Sequence, residues 1–279
     1  MEKIKIVTDS TVDIPMEILK KHDVEVLPLL INFGEESYLD GVDITTKEML
    51  DKVQELDMLP NTAQIIPNRF CECYDKYLKE GYKILVLTLS SKMSGTYQSA
   101  CIAKKMVESE DIVVIDSQNV TSGLGVLVLK AIKLRDEGLS IKEIEKQILE
   151  SIPYVKSALG FESLEHLIRG GRLSKTVGVI GSVLGIRLIL EVKDGQMAVK
   201  EKVRGSKKAV KEIIENFEKM GHKEDEAVVL LHIENKDIYE PLKEYLENNN
   251  IKYIDAEVGC TVGVHSGPKA CGLFFISNH

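Results

Sequence analysis

Two hydrophobic periodicities alternate along the first half of the chain. Near-continuous, β-branched apolar runs fall at 3–8 (KIKIVT), 83–89 (KILVLTL) and 111–116 (DIVVID). Between them lie stretches whose apolar positions recur at helical spacing: PMEILKKH at 15–22, TKEMLDKVQEL at 46–56, PNRFCECYDKYLKE at 67–80 and TYQSACIAKKMVE at 96–108. Strands that are apolar on both faces and separated by helices predict a parallel sheet covered on both sides. Pro67 at the start of its helix and Gly81 after its end follow the usual asymmetry of helix termini. Two longer helices are predicted over 121–138 and 140–152, ending at Pro153.

The pattern then changes. A strand at 155–161 (VKSALGF), a short helix at 163–171 and a helix at 174–185 (SKTVGVIGSVLG) precede two extended runs at 186–204. These two runs are joined by Asp194-Gly195, a strong hairpin signal. Helices at 206–220 and 237–249 alternate with strands at 226–234 and 252–259. A hairpin followed by β-α units predicts a mixed or antiparallel sheet. The expected architecture is a two-domain α/β protein: residues 1–153 as an N-terminal parallel-sheet domain and residues 154–279 as a C-terminal domain with a mixed sheet. The stretch 261–270, TVGVHSGPKA, is rich in Gly and Pro and reads as a loop that holds His265 just ahead of the apolar CGLFFI.

Composition narrows the classes. Of 279 residues 44% are hydrophobic and none is Trp, so Leu, Ile and Val must fill the core. With 36 Lys and Arg against 44 Asp and Glu, the net charge of -8 excludes a nucleic-acid partner, because phosphate binding runs on a cationic excess. The apolar stretch 176–186 is shorter than the roughly 18 residues that suggest a membrane span, and the N-terminus carries no apolar signal segment. A cytoplasmic protein that does not span a membrane is expected, with transient membrane contact left open. Its five cysteines, without metal-site spacing, read as reduced and buried, and no metal is expected.

Small polar residues cluster after each predicted strand of the first half: 8–11 (TDST), 90–96 (SSKMSGT) and 116–119 (DSQN), with a further polar stretch at 61–64 (NTAQ). Ligands gather at the carboxyl ends of parallel strands. Ser10, Ser94 and Thr121 would serve equally as helix caps. No nucleophile elbow, phosphate-binding glycine loop or zinc motif is present. His22, His166 and His222 read as solvated, and His232 as a satisfied core residue.

Taken together, KIVTDSTVDIP at the front, SSKMSGTYQSA at 90–100, GGRLSK at 170–175 and VGVHSGPKACGLFF at 262–275 resemble the DegV family, essentially end to end. The resemblance implies a protein that holds one long-chain fatty acid, needs no cofactor and is not itself an enzyme. It further implies a role like that of the binding subunit of bacterial fatty acid kinase, which presents the acyl carboxylate to a separate ATP-binding kinase for acyl-phosphate formation, a step toward phospholipid synthesis. The carboxylate contacts carried over are Thr62, Ser94 and His265, with Gly95, Thr96 and Ser266 as further headgroup or loop contacts. Arg172 carries over as a kinase-docking position, and Arg169 is expected to join it in the docking patch. The chain departs from the family pattern at 62–66 (TAQII, where a serine and a proline are usual), at Leu188 and at Lys269, where glycine is common. Lys269 is expected to add a cation beside His265.

Physical chemistry suits the reading. A fatty acid tail gains about 0.8 kcal/mol per buried methylene, so the tunnel must be apolar; the stretches 176–186 and 186–192 are its expected walls. A buried carboxylate needs hydrogen bonds. Two hydroxyls and an imidazole orient it while leaving one oxygen free to react. Arg169, Arg172, Lys175 and Arg187 would form a basic neighbourhood near the mouth. The competing reading is a hydrolase that pairs Ser94 with His265.

Overall fold

The computed structural model describes residues 2–173 and 185–278. The helix expected over 174–185 thus falls almost entirely outside the described residues, and so do Lys175, most of the expected tunnel wall at 176–186, and His279.

In chain order the first half reads β1 (Ile4–Asp9), a 3₁₀ turn (Ser10–Val12), α1 (Met16–Lys21), β2 (Glu25–Leu27), β3 (Leu30–Phe33), β4 (Glu36–Leu39), α2 (Thr46–Leu56), β5 (Asn61–Ala63), α3 (Pro67–Lys79), β6 (Lys83–Thr88), α4 (Thr96–Val107), β7 (Ile112–Asp116), α5 (Ser122–Asp136) and α6 (Ile141–Ser151). The second half reads β8 (Val155–Phe161), α7 (Glu165–Arg169), β9 (Ile186–Lys193), β10 (Gln196–Arg204), α8 (Ser206–Met220), β11 (Val228–Ile233), α9 (Lys236–Asn248), β12 (Tyr253–Glu257), α10 (Cys260–Ser266) and β13 (Ala270–Ile276). Local chemistry sets several boundaries. Thr45 with Glu48 and Ser140 with Glu143 form capping boxes at the starts of α2 and α6. Asp194 and Gly195 both adopt the left-handed backbone that a tight hairpin requires.

The architecture is the α/β one expected: a parallel sheet of order β2-β1-β6-β7 and a mixed sheet of order β10-β9-β8-β13-β11-β12. In the mixed sheet only β11 and β12 run parallel. Two features depart from the sequence reading. A third sheet, of order β4-β3-β5, was not anticipated; β5 pairs antiparallel with β3 through Ile31 and Thr62. The stretch around His265 is helical over Cys260–Ser266 rather than a loop.

Helix α5 lies between the parallel and mixed sheets. Its residues are apolar nearly all round, and Leu124, Val126, Leu127 and Val128 are all buried. The largest core is continuous across both halves and joins Leu87 and Leu89 to Leu159, Leu190 and Leu231. A part-buried Lys130–Glu226 ion pair and a more exposed Lys133–Asp225 pair tie α5 to the segment before β11. Separate cores lie under α8 and α9, under α3 and α4, and beneath the small sheet. Among the described residues no helix is long and apolar enough to cross a membrane.

Candidate functional site

The carboxyl ends of β1, β6 and β7 deliver three polar loops to one edge of the parallel sheet, as their positions in the sequence predict. In the loop after β6, the Ser94 hydroxyl lies 3.0 Å from that of Thr96 and accepts from the Thr96 amide at 3.3 Å. Ser94 therefore faces the start of α4 without capping it; the N-cap position belongs to Gly95. Ser10 is not a helix cap, and Thr121, which stands at the N-cap position of α5, makes no capping hydrogen bond with its side chain. The Ser10 hydroxyl donates to Asp40 at 2.8 Å, and that of Thr121 donates to Asp13.

Thr62 reaches the site on β5. The short, polar Asn61–Ala63 segment is extended because it pairs with β3, not because of its own propensity. His265 arrives on α10, whose sequence (CTVGVHS) is a poor helix former, with a glycine and three β-branched residues. Buried carboxylates from the first half hold its first turn. Asp13 accepts from the Gly259 amide at 3.0 Å, and Asp40 accepts from Cys260 and Thr261 at 3.1 and 3.2 Å. The amide groups that a helix start leaves unpaired are thereby satisfied. Burial pushes the nearby Asp9 up to about 6 and Asp13 well above the usual carboxylate range, against the hydrogen bonds that each accepts.

These elements enclose a cavity of about 200 Å³ between the parallel and mixed sheets. Its polar end is lined by Thr62, Gln64, Ser94, Gly95, His265 and Ser266, and its interior by side chains such as Leu89, Leu159, Phe161, Leu231 and Val258. Thr62 Oγ1 and His265 Nε2 are 2.9 Å apart. His265 Nδ1 is buried without a partner among the described residues and packs against Gly170, where an added Cβ would lie 2.3 Å from it. Burial, then the charge of Arg172, then His166, lower the imidazole to about 4, so it is neutral near pH 7.

Of the residues expected at the headgroup, Thr62, Ser94, Gly95, His265 and Ser266 line this one cavity. Thr96 stands behind them, fully buried and bonded to Ser94. Arg172 also lines the cavity; it donates from Nε to the Met93 carbonyl at 3.1 Å and from Nη1 to that of Gly170 at 2.6 Å. It thus fastens the loop after β6 to the turn after α7, whereas Arg169 is exposed.

Other expectations need correction. Arg187 is not part of an open basic patch but pairs with Glu162 at 2.8 Å. Lys269 does not face His265: its ammonium lies 3.6 Å from Glu162, and the cation that acts on the imidazole is Arg172. The backbone of Lys269 has φ of 64°, a left-handed geometry that explains why glycine suits this position. Strand β9 supplies none of the described lining; β8, β11 and Met197 of β10 do instead.

The histidine readings also shift. His166, read as solvated, is half-buried beside His265, with its ring against Gly267. His22 lies 3.3 Å from Asp136, His222 stacks on Phe217, and His232 pairs with Asp255 at 3.1 Å. Sequence reasoning missed Arg172 and Met197 as lining residues, and also the Asp13–Asp40 clamp. The hairpin tip brings Met197 in: the carbonyls of Gly195 and Asp194 accept from Ser90 and Lys92 at 2.7 Å each. Nothing in the geometry supports a Ser94–His265 hydrolytic pair, since the imidazole's partner is Thr62 and that of Ser94 is Thr96.

The sequence profile of the DegV family matches residues 3–278. A DegV domain-containing protein of Clostridium acetobutylicum is 58% identical over 279 residues, which cover 100% of both chains. Among solved structures, a DegV family protein from Thermus thermophilus described for its fatty acid binding is similar, with a TM-score of 0.91 and 29% identity over 99% of this chain and 100% of that one. A stearic-acid-binding protein from Eubacterium ventriosum is similar too, with a TM-score of 0.85 and 27% identity over 99% of this chain and 98% of that one.

Proposed function

The chain belongs to the DegV family, and from that membership together with the shape of its cavity we propose that it binds one long-chain fatty acid. The observation that carries the reading is a cavity lined mainly by apolar side chains that also gathers Thr62, Ser94 and His265. Each buried methylene contributes about 0.8 kcal/mol, so the tail supplies most of the affinity, less the cost of ordering it. The carboxylate cannot enter an apolar space unpaired. At the polar end it meets the hydroxyls of Thr62 and Ser94 and the edge of a neutral imidazole, with the Arg172 guanidinium supplying positive field from the wall. Because Arg172 already donates to two carbonyls, it does not have to grip both carboxylate oxygens.

That arrangement suits presentation as well as storage. Thr62 and Ser94 are partly exposed while the interior is buried, so the acid end lies toward the surface. In the full reading, an ATP-dependent kinase docks over this end, with exposed Arg169 among its contacts and Arg172 behind it. One carboxylate oxygen attacks the γ-phosphorus, the bond to the β-phosphate oxygen breaks, ADP leaves and an acyl phosphate forms. The protein supplies binding and orientation, the kinase the phosphoryl donor.

Mass spectrometry of the denatured, purified protein should release one long-chain fatty acid per chain, and calorimetric titration of delipidated protein with palmitate should show binding that Ser94→Ala with His265→Ala weakens at least ten-fold. Neither lipid nor binding would sink the reading. For the kinase step, Arg169→Ala should keep the lipid yet slow acyl-phosphate formation with the kinase from the same cell; an unchanged rate would remove Arg169 from the docking surface.

A further inference from the structure

Thr261 lies one turn before His265 on α10, and both residues line the cavity. Its side chain is 4% exposed, and its Oγ1 is buried without a hydrogen-bond partner among the described residues. Three other threonines line the same cavity, but all are engaged: Thr11 donates to Asp9 at 2.6 Å, Thr121 donates to Asp13, and Thr62 pairs with His265 at 2.9 Å. The backbone amide of Thr261 is fixed on Asp40, and Val258, Val262 and Leu231 also face the cavity. A free hydroxyl is therefore held at a set place in the cavity wall, with apolar neighbours on either side. Buried polar groups in folded proteins are nearly always paired, and an alkyl chain offers this one nothing.

We propose that Thr261 is a specificity-determining residue for acyl chains that carry an oxygen substituent close to the carboxylate, with β-hydroxy fatty acids as the favoured class. The inference rests on the fatty acid reading above, and position along the helix limits where the substituent lies. Thr261 and His265 are four residues apart, about 6 Å along the axis, a gap that hydrogen bonds to His265 and to Oγ1 at its two ends narrow to the few carbons next to the carboxylate. With the carboxylate at His265, the threonine hydroxyl reaches only the first few carbons, and the far end of the chain lies beyond it. A hydroxyl on the β-carbon can donate to or accept from Oγ1, and Oγ1 is paired only when such a ligand is bound.

The test titrates delipidated full-length protein with palmitate, β-hydroxypalmitate and ω-hydroxypalmitate, comparing the native chain with Thr261→Val and Thr261→Ser. Thr261→Val should cut the affinity for β-hydroxypalmitate relative to palmitate about ten-fold, the effect of leaving one buried hydroxyl unpaired. Thr261→Ser keeps the hydroxyl and should keep the native ratio; the ω-hydroxy ligand should show no dependence on the substitution. An identical ratio of β-hydroxypalmitate to palmitate in the native and valine proteins overturns the proposal while leaving palmitate binding intact. Failure of the native protein to bind palmitate at all overturns the underlying fatty acid reading instead.

Discussion

His265 is held neutral by its surroundings, and that gives the site a pH dependence whose sign follows directly. Burial, Arg172 and His166 lower its pKa from 6.5 to about 4. Between those values the unfolded chain binds a proton that the folded chain does not, so this residue's contribution is complete above about pH 6.5 and is lost as pH falls toward 4. Asp9 works the other way. Burial raises it from 3.8 to about 6, so the folded chain takes the proton first and the contribution grows as pH falls through that window. A carboxylate ligand set beside the imidazole raises its pKa again, and binding must then take up a proton on the acid side. Titration calorimetry at about pH 5.5 in buffers of different ionisation enthalpy should therefore show proton uptake, which vanishes near pH 8 and in His265→Gln. Equal uptake in the variant would place the proton on another group. Gly170 supports the same residue sterically: with its added Cβ 2.3 Å from Nδ1, Gly170→Ala must displace the imidazole, and should weaken palmitate binding with little change in secondary structure by circular dichroism.

Among the elements, α10 depends most on the rest of the chain. Its seven residues cannot hold a helix alone, and its first three amides rest on Asp13 and Asp40. Asp40→Ala would leave the Cys260 and Thr261 amides and the Ser10 hydroxyl without their acceptor. The expected cost is about 2–4 kcal/mol of stability, read by urea denaturation, together with weaker palmitate binding through a displaced His265. Retained affinity at reduced stability would show that the clamp serves folding alone. The dependence also explains what the sequence did and did not reveal. The β1, β6 and β7 strands and helices α2 to α6 were legible because their periodicities are long and locally consistent. The β-α units and hairpin of the second half were legible for the same reason. The loop position of Ser94 followed from a strand end and from the family resemblance, and Thr62 followed from the resemblance, although it lies on β5 rather than in a loop. Strand β5 was not legible because Asn61, Thr62 and Ala63 become a strand only through β3. Helix α10 was not because Gly263, Val262 and Val264 argue against a helix that two distant aspartates impose. His166 was misread for a similar reason: its burial comes from the packing of α7 against α10, which no local pattern records.

Over the whole molecule, the sequence divides where the sheet type changes, but the apolar core does not. Helix α5 belongs to the first half by connectivity, yet it covers β8, β11 and β13 of the mixed sheet as well as β1 and β6 of the parallel one. The Lys130–Glu226 pair is largely shielded, so parting the halves would expose an apolar helix and break an ion pair that bridges them. The cavity lies in this same junction, with Leu89 and Val120 from one half facing Leu159 and Leu231 from the other. Two consequences are expected together. Calorimetric unfolding of the delipidated protein should be a single transition, with van 't Hoff and calorimetric enthalpies in agreement, because neither half keeps its core when the other melts. Palmitate should then raise the temperature of the entire transition, since a ligand that touches both halves binds only when both are folded: at a free concentration one hundred times its dissociation constant the gain is about 2.7 kcal/mol. Two transitions, only one of them moved by palmitate, would mean that the halves fold independently and that the fatty acid is held by one of them. The shared wall drawn from both sheets would then not be the binding surface.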